Sequence, residues 1–306
     1  MSNAPTVVKS DLALWSSKLA LTPEYLFAYA SGAATSPASL LSLIDFRERL
    51  KESGYSGSTV PCDVFVLGEG EPQERDVTKV GGLPYRPASA AWPIAPDGTP
   101  YVFAFQFRVT ESHDILPQIP GDVLLFFMKD PYIELGDDSF VHIEWQPLGL
   151  TDLVVPEKCL GEKWPYFYGY GIRYRSLDFV DQEAVSKEYV RQWKLLGIEE
   201  TGGEYTNHLI ALGATRYGGP KIGGLPPWFQ RARNSSPDEQ FLCSLGTFYP
   251  PDEMLYPWAN REQPFSSQES GKEGNSLDWY DGFELLFFLD KDKNVKWYLD
   301  LPSSLE

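Results

Sequence analysis

Two short phrases occur twice in this chain, in the same order. Gly81-Gly82-Leu83-Pro84 returns as Gly223-Gly224-Leu225-Pro226, an offset of 142 residues. Gly121-x-x-Leu124-Leu125-Phe126-Phe127 returns as Gly282-x-x-Leu285-Leu286-Phe287-Phe288, an offset of 161. One four-residue match arises by chance, whereas two in order, each followed by compatible apolar runs, mark an internal duplication. The second copy carries 19 more residues between its landmarks. They fall in Tyr256 to Ser276, a stretch rich in Pro, Ser, Gln, Glu and Gly that lacks any hydrophobic period. Copies of one ancestor usually share a core through related edges, so a single compact body is expected.

Around these landmarks the hydrophobic pattern has a period of two. Val60, Cys62, Val64 and Val66 alternate with other residues, as the side chains of a half-buried strand do. The runs Tyr101–Phe107, Asp122–Met128, Phe140–Trp145, His208–Leu212, Phe241–Leu245, Phe283–Leu289 and Val295–Leu299 read as further strands. Helical spacing is confined to two regions. Near the N-terminus, Ser36 and Pro37 suit the start of a helix, Leu40, Leu41, Ile44 and Leu50 recur along it, and Gly54 stops it. From Gln182 to Leu196, Val185, Tyr189, Trp193 and Leu196 share a face before Gly197. The pattern predicts an α+β, β-rich fold of internally duplicated mixed or antiparallel sheets with an N-terminal helical segment. Its divisions are 1–58 (helical segment), 59–150 (first β-rich repeat), 151–205 (connecting segment with a helix) and 206–306 (second β-rich repeat).

Composition restricts the partners. Forty-three acidic against 26 basic side chains give a net charge of −17, so the surface carries a negative field. Nucleic-acid binding draws on Lys and Arg displacing counterions from phosphates, a contribution of the wrong sign here, and an anionic membrane is disfavoured for the same reason. A basic protein is the favoured partner, although the same charge also serves solubility. Cys62, Cys159 and Cys243 are odd in number and lack metal or redox spacing, which predicts buried thiols in a reducing compartment. No run approaches the roughly 18 apolar residues needed to span a bilayer, and Lys9 and Asp11 interrupt the N-terminus, so a cytoplasmic location is expected.

Candidate chemistry is sparse. Gly218-Gly219-Pro220-Lys221-Ile222-Gly223-Gly224 is glycine-dense, but a phosphate-binding loop needs Gly-Lys followed by Ser or Thr and a helix, and Leu225-Pro226-Pro227 does not start one directly. The stretch reads as a turn in which glycine supplies positive φ and proline fixes the exit. His113, His142 and His208 are too scattered for a metal triad, and no nucleophile elbow accompanies them. Carboxylate pairs beside Trp92, Trp145, Trp164, Trp228, Trp258 or Trp279 would suit a sugar, but core aromatics explain these residues equally well. No catalytic residue, metal ligand or cofactor is assigned. Two acidic groupings suit a basic partner: Asp130, Glu134, Asp137 and Asp138, and Glu199 and Glu200 with Glu204. The long insertion adds Tyr256, Trp258, Arg261 and Phe265, residue types favoured at binding hot spots.

These landmarks resemble a known family. Gly81-Gly82-Leu83-Pro84 with Trp92-Pro93, Phe103-Ala104-Phe105-Gln106-Phe107, Leu116-Pro117 and Gly121-x-x-Leu124-Leu125-Phe126-Phe127 are similar to the YwqG-like family of bacterial proteins. Lys221-Ile222-Gly223-Gly224-Leu225-Pro226 and Gln230 resemble its second Gly-Gly-x-Pro element, so the similarity covers roughly residues 60 to 300. The resemblance implies an α+β, sheet-dominated fold and brings no catalytic residues. It also implies an immunity role, since some relatives neutralise toxins of interbacterial competition, including nuclease effectors of type VI secretion. The second copy departs from the pattern: Trp92-Pro93 has no counterpart, and Phe241–Leu245 lacks the Gln of Phe105-Gln106. The expected function is inhibition of a cognate toxin, a basic-surfaced nuclease domain, through an acidic surface. The alternative is an enzyme or binding protein for a carbohydrate or nucleotide at the repeat junction.

Overall fold

A computed structural model describes residues 57–69, 72, 74–116, 118–129, 139–160, 169–181, 184–185, 216, 219–228, 238–246 and 284–300. They form ten strands joined by turns and loops: β1 (Thr59–Glu69), β2 (Lys79–Val80), β3 (Val102–Arg108), β4 (Val123–Met128), β5 (Val141–Gln146), β6 (Gly169–Phe179), β7 (Lys221–Gly223), β8 (Gln240–Gly246), β9 (Glu284–Leu289) and β10 (Val295–Asp300). They belong to two compact units. Unit 1 holds the described residues within Leu67–Ile172, and unit 2 those within Thr6–Val66, Arg173–Tyr249 and Asp281–Glu306.

In unit 1 the strands run in the order β6 (its Gly169 end), β2, β3, β4, β5. In unit 2 the order is β10, β9, β8, β7, β1, β6. The β4 run Val-Leu-Leu-Phe-Phe-Met and the β9 run Glu-Leu-Leu-Phe-Phe-Leu are buried along their whole length. Each lies between two strands with apolar groups on both faces, which is why the sequence loses its alternation there. β5 ends the unit 1 order and is half-buried throughout, which restores a mixed polar and apolar pattern.

The two units repeat one register. In unit 1, Val102 faces Met128, the ladder slips between Phe103 and Phe105, and Gln106 faces Leu125. In unit 2, Gln240 faces Leu289, the ladder slips between Phe241 and Cys243, and Ser244 faces Leu286. The same bulge therefore stands at the same place in both. Lys79 of β2 faces Gln106 as Lys221 of β7 faces Ser244. Equivalent phenylalanines also meet alike: Phe103–Phe127 at 5.6 Å and Phe241–Phe288 at 5.4 Å, both at an interplanar angle of 64°.

Each pair anchors a core. Tyr85, Tyr101, Phe103, Leu125 and Phe127 pack in unit 1, with Trp92 edge-on to Phe127. Trp228, Phe241, Leu286 and Phe288 pack in unit 2, with Trp228 stacked on Phe288. At about 1.5–3 kcal/mol for each large side chain removed from water, these clusters are the main favourable contribution to each unit.

The expected α+β class is corrected by this arrangement. Among the described residues the helical content is two three-residue turns, Thr110–Ser112 and Pro156–Lys158, together with Ala184 and Val185. The registered strand pairs are all antiparallel, so the sheets are not mixed. The described residues form a nearly all-β architecture in two units, in place of the expected α+β one. The predicted N-terminal helical segment falls on residues of which 1–56 lie outside the described ones, and so does most of Gln182 to Leu196. The strand runs set the class of the described residues.

Candidate functional site

The repeated Gly-Gly-Leu-Pro turn is built on a buried lysine. In unit 2, Gly223 and Gly224 take φ of 68° and 77°, and in unit 1 Gly81 and Gly82 take 58° and 66°. Two successive left-handed residues reverse the chain, so the Leu carbonyl comes within reach of the lysine four residues earlier. Lys221 Nζ donates to Leu225 O at 2.6 Å, and Lys79 Nζ to Leu83 O at 2.9 Å. Both lysines are wholly buried. An arginine completes each clamp: Arg75 donates to the carbonyls of Leu83 and Pro84, and Arg216 to the carbonyl of Pro226 at 2.9 Å.

Unit 2 adds a carboxylate. Asp178 of β6 is fully buried, and its Oδ2 accepts from Lys221 Nζ and from Leu225 N, both at 2.8 Å. A Cβ on Gly224 would overlap that carboxylate and lie 2.8 Å from Cys62 Cβ. The second glycine is thus required by close approach as well as by φ. Lys221 is not a phosphate ligand awaiting an anion, because its charge is turned inward against Asp178.

The position after the bulge carries a second polar feature. In unit 1, Gln106 Nε2 donates to Arg75 O and Val77 O, both at 2.7 Å, while its Oε1 accepts from Tyr85 N at 2.9 Å. In unit 2, Ser244 Oγ donates to Gly219 O at 2.9 Å, and Gly219 N donates to Glu284 Oε1 at 2.9 Å. Burial pushes the Glu284 carboxyl up to about 8, against the opposing influence of Lys221 and of its hydrogen bonds to Ser244 and Gly219. It is therefore mostly neutral at pH 7.

A more accessible constellation lies in unit 1. Arg86 grips Glu144 with two nitrogens, at 2.7 and 3.0 Å, and also donates to the carbonyls of Ala90 and Ala91. Glu144 accepts further bonds from Gln146 at 3.2 Å and from His142 Nε2 at 3.1 Å. Burial alone would raise the Glu144 carboxyl, but the hydrogen bonds from His142 and Arg86 outweigh it and hold the group below its usual value. His142 is 38% exposed and packs against Tyr101 and Phe127. Glu144 orients the ring through Nε2 and leaves Nδ1 outside that bond.

The partner-binding residues predicted from sequence, Asp130, Glu134, Asp137, Asp138, Glu199, Glu200, Glu204, Tyr256, Trp258, Arg261 and Phe265, all lie outside the described residues. Of the histidines, His142 joins the Arg86–Glu144 pair, His113 is exposed, and His208 is outside the described residues. Trp92 and Trp228 belong to the cores. Cys62 and Cys243 are buried, and burial pushes the half-buried Cys159 thiol up to about 11 although Arg75 and Lys79 oppose it. Among the described residues no group of three His, Cys, Asp or Glu side chains is placed to hold a metal. Nor is any of their helices long and apolar enough to cross a membrane.

The fold and these clamps define a class: a repeated, antiparallel β protein whose two units each close a Gly-Gly-Leu-Pro turn over a buried lysine. The sequence model of DUF1963, a domain of unknown function, matches residues 78–148. That stretch contains Lys79, the first turn, Gln106 and the Arg86–Glu144 pair, and the match is consistent with the resemblance read from the same residues. Comparison with curated proteins gives no match.

Proposed function

We propose that this chain binds and neutralises a cognate bacterial toxin, a nuclease effector of type VI secretion, by laying an acidic surface over the toxin's basic active site. The net charge of −17 carries the reading. Among the described residues the buried charged side chains are four acids (Asp63, Asp178, Glu284 and Asp300) and four bases (Lys79, Arg86, Arg108 and Lys221). Among these residues burial takes acids and bases from the surface in equal number, which supports an acidic excess left open to a partner. A nuclease groove must attract phosphate, so a negative partner gains association rate and selectivity against it. The resemblance to YwqG-like proteins supplies the class of target.

Co-expression with a nuclease toxin encoded beside this gene is the test. Growth is restored, the two chains co-purify, and their association rate falls at least tenfold between about 50 and 500 mM salt, as steering by long-range charge requires. Neither rescue nor a complex sinks the reading. A complex whose association rate ignores salt removes the electrostatic part of it.

A further inference from the structure

We propose that the outer edge of β5 pairs with β5 of a second copy of this chain, antiparallel and centred on Ile143, to make a twofold-symmetric dimer.

The edge is open among the described residues. β5 ends the unit 1 order, with β4 on one side and no described strand on the other. Phe140 O accepts from Lys129 N at 3.1 Å and Gln146 O from Asp122 N at 3.0 Å, so both carbonyls turn toward β4. Backbone groups alternate sides along a strand. His142 and Glu144 therefore bond to β4 as well, and the N–H and C=O of Val141, Ile143 and Trp145 point outward. No described residue bonds to these outward groups. Strand edges are commonly guarded by Lys, Pro or a bulge. Val141–Gln146 contains neither residue, its ladder with β4 runs without a slip, and its side chains are half-buried throughout.

The order of residues selects a second copy and one register. Centred on Ile143, the pairing joins Val141 to Trp145, Ile143 to Ile143 and Trp145 to Val141. All three outward residues are used, for about six hydrogen bonds between the copies. On the other face His142 of each copy stands beside Glu144 of the other, so the strand's one acid meets a histidine. Centring on Glu144 would set that acid against itself and bring Pro147, which has no N–H, into the ladder. Centring on His142 would set two histidines together. β10, which ends the unit 2 order, lacks this self-complementarity. Phe288 faces Lys296 as Phe127 faces His142, and Leu286 faces Tyr298 as Leu125 faces Glu144, so the same operation would set Lys296 beside a tyrosine. Because β5 uses the same edge in both copies, the assembly closes at two.

A strand edge buries little surface, and a charge of −17 on each copy opposes association, so the dimer is weak and favoured by salt. The pairing needs no toxin. Sedimentation velocity of the full chain in about 500 mM sodium chloride, from about 1 to 500 µM protein, reads it as a monomer passing to a dimer. Ile143→Pro removes an N–H that points away from β4, so the ladder with β4 is kept while dimerisation weakens by about tenfold or more. A monomer throughout, or a dimer that Ile143→Pro leaves intact, overturns the proposal. Should that variant not fold, Ile143→Cys in a Cys159→Ser background decides, since the other two cysteines are buried. The opposed residues at 143 stand about 5.5 Å apart at Cα, within disulfide reach. A crosslinked dimer under mild oxidation supports the pairing, and a chain that stays monomeric rejects it.

Discussion

Lys221 and Asp178 are both inaccessible to water and 2.8 Å apart, and each also binds backbone of the Leu225 turn. Removing one partner from such a pair leaves a buried charge unanswered. Lys221→Met is expected to lower stability by about 3–5 kcal/mol in urea denaturation, and Lys221→Met with Asp178→Leu to recover a large part of it. Gly224→Ala combines a left-handed φ with overlap on Asp178, an expected loss of about 3 kcal/mol. Gly98→Ala is the control, because φ there is 91° but nothing lies within 4 Å of the added carbon; about 1 kcal/mol is expected. Equal losses at the two glycines would remove the close-approach argument. The sequence showed that these glycines make a turn. It did not show the carboxylate, because Asp178 lies 43 residues from Lys221 and looks like any strand-end acid.

The element after each bulge is where the copies diverge in chemistry while keeping geometry. Gln106 satisfies two carbonyls of the segment entering the first turn and the amide of Tyr85 leaving it; Ser244 satisfies one carbonyl. Gln106→Ala is therefore expected to cost about 2–4 kcal/mol and Ser244→Ala about 1 kcal/mol, measured as shifts in urea midpoint. The reverse order would mean that the two positions are not equivalent. Strands β1, β3, β4, β5, β8, β9 and β10 were legible because alternation or an unbroken apolar run marks each of them. β6 was not, since Gly169, Gly171, Arg173, Arg175 and Asp178 dilute its apolar residues. Two of those charges are consumed inside unit 2, where Arg175 and Arg173 both bind buried Asp63. β2 and β7 are two and three residues long, too short for any period to register.

For the whole molecule, a charge of −17 opposes compaction as well as attracting a basic partner. Raising sodium chloride from about 20 to 500 mM is expected to increase the urea midpoint of the isolated protein by screening this self-repulsion. A decrease would show that ion pairs such as Arg86–Glu144 govern the salt response instead. The duplication was legible at this scale, because its two offsets reappear as one shared register. The site was less so: the mostly buried Arg86–Glu144–His142 group joins residues that carry no common motif, brought together by β5 and the loop after β2. The pairing of Cys62 in β1 with Gly223 in β7 sets a schedule for synthesis. Roughly half the chain separates β1 from this neighbour, which emerges from the ribosome after it. For that interval β1 presents a bare backbone edge, the kind that recruits strands from neighbouring chains. Strands β3, β4 and β5 of unit 1 are consecutive in the chain and pair without that wait, whereas β2 waits for β6.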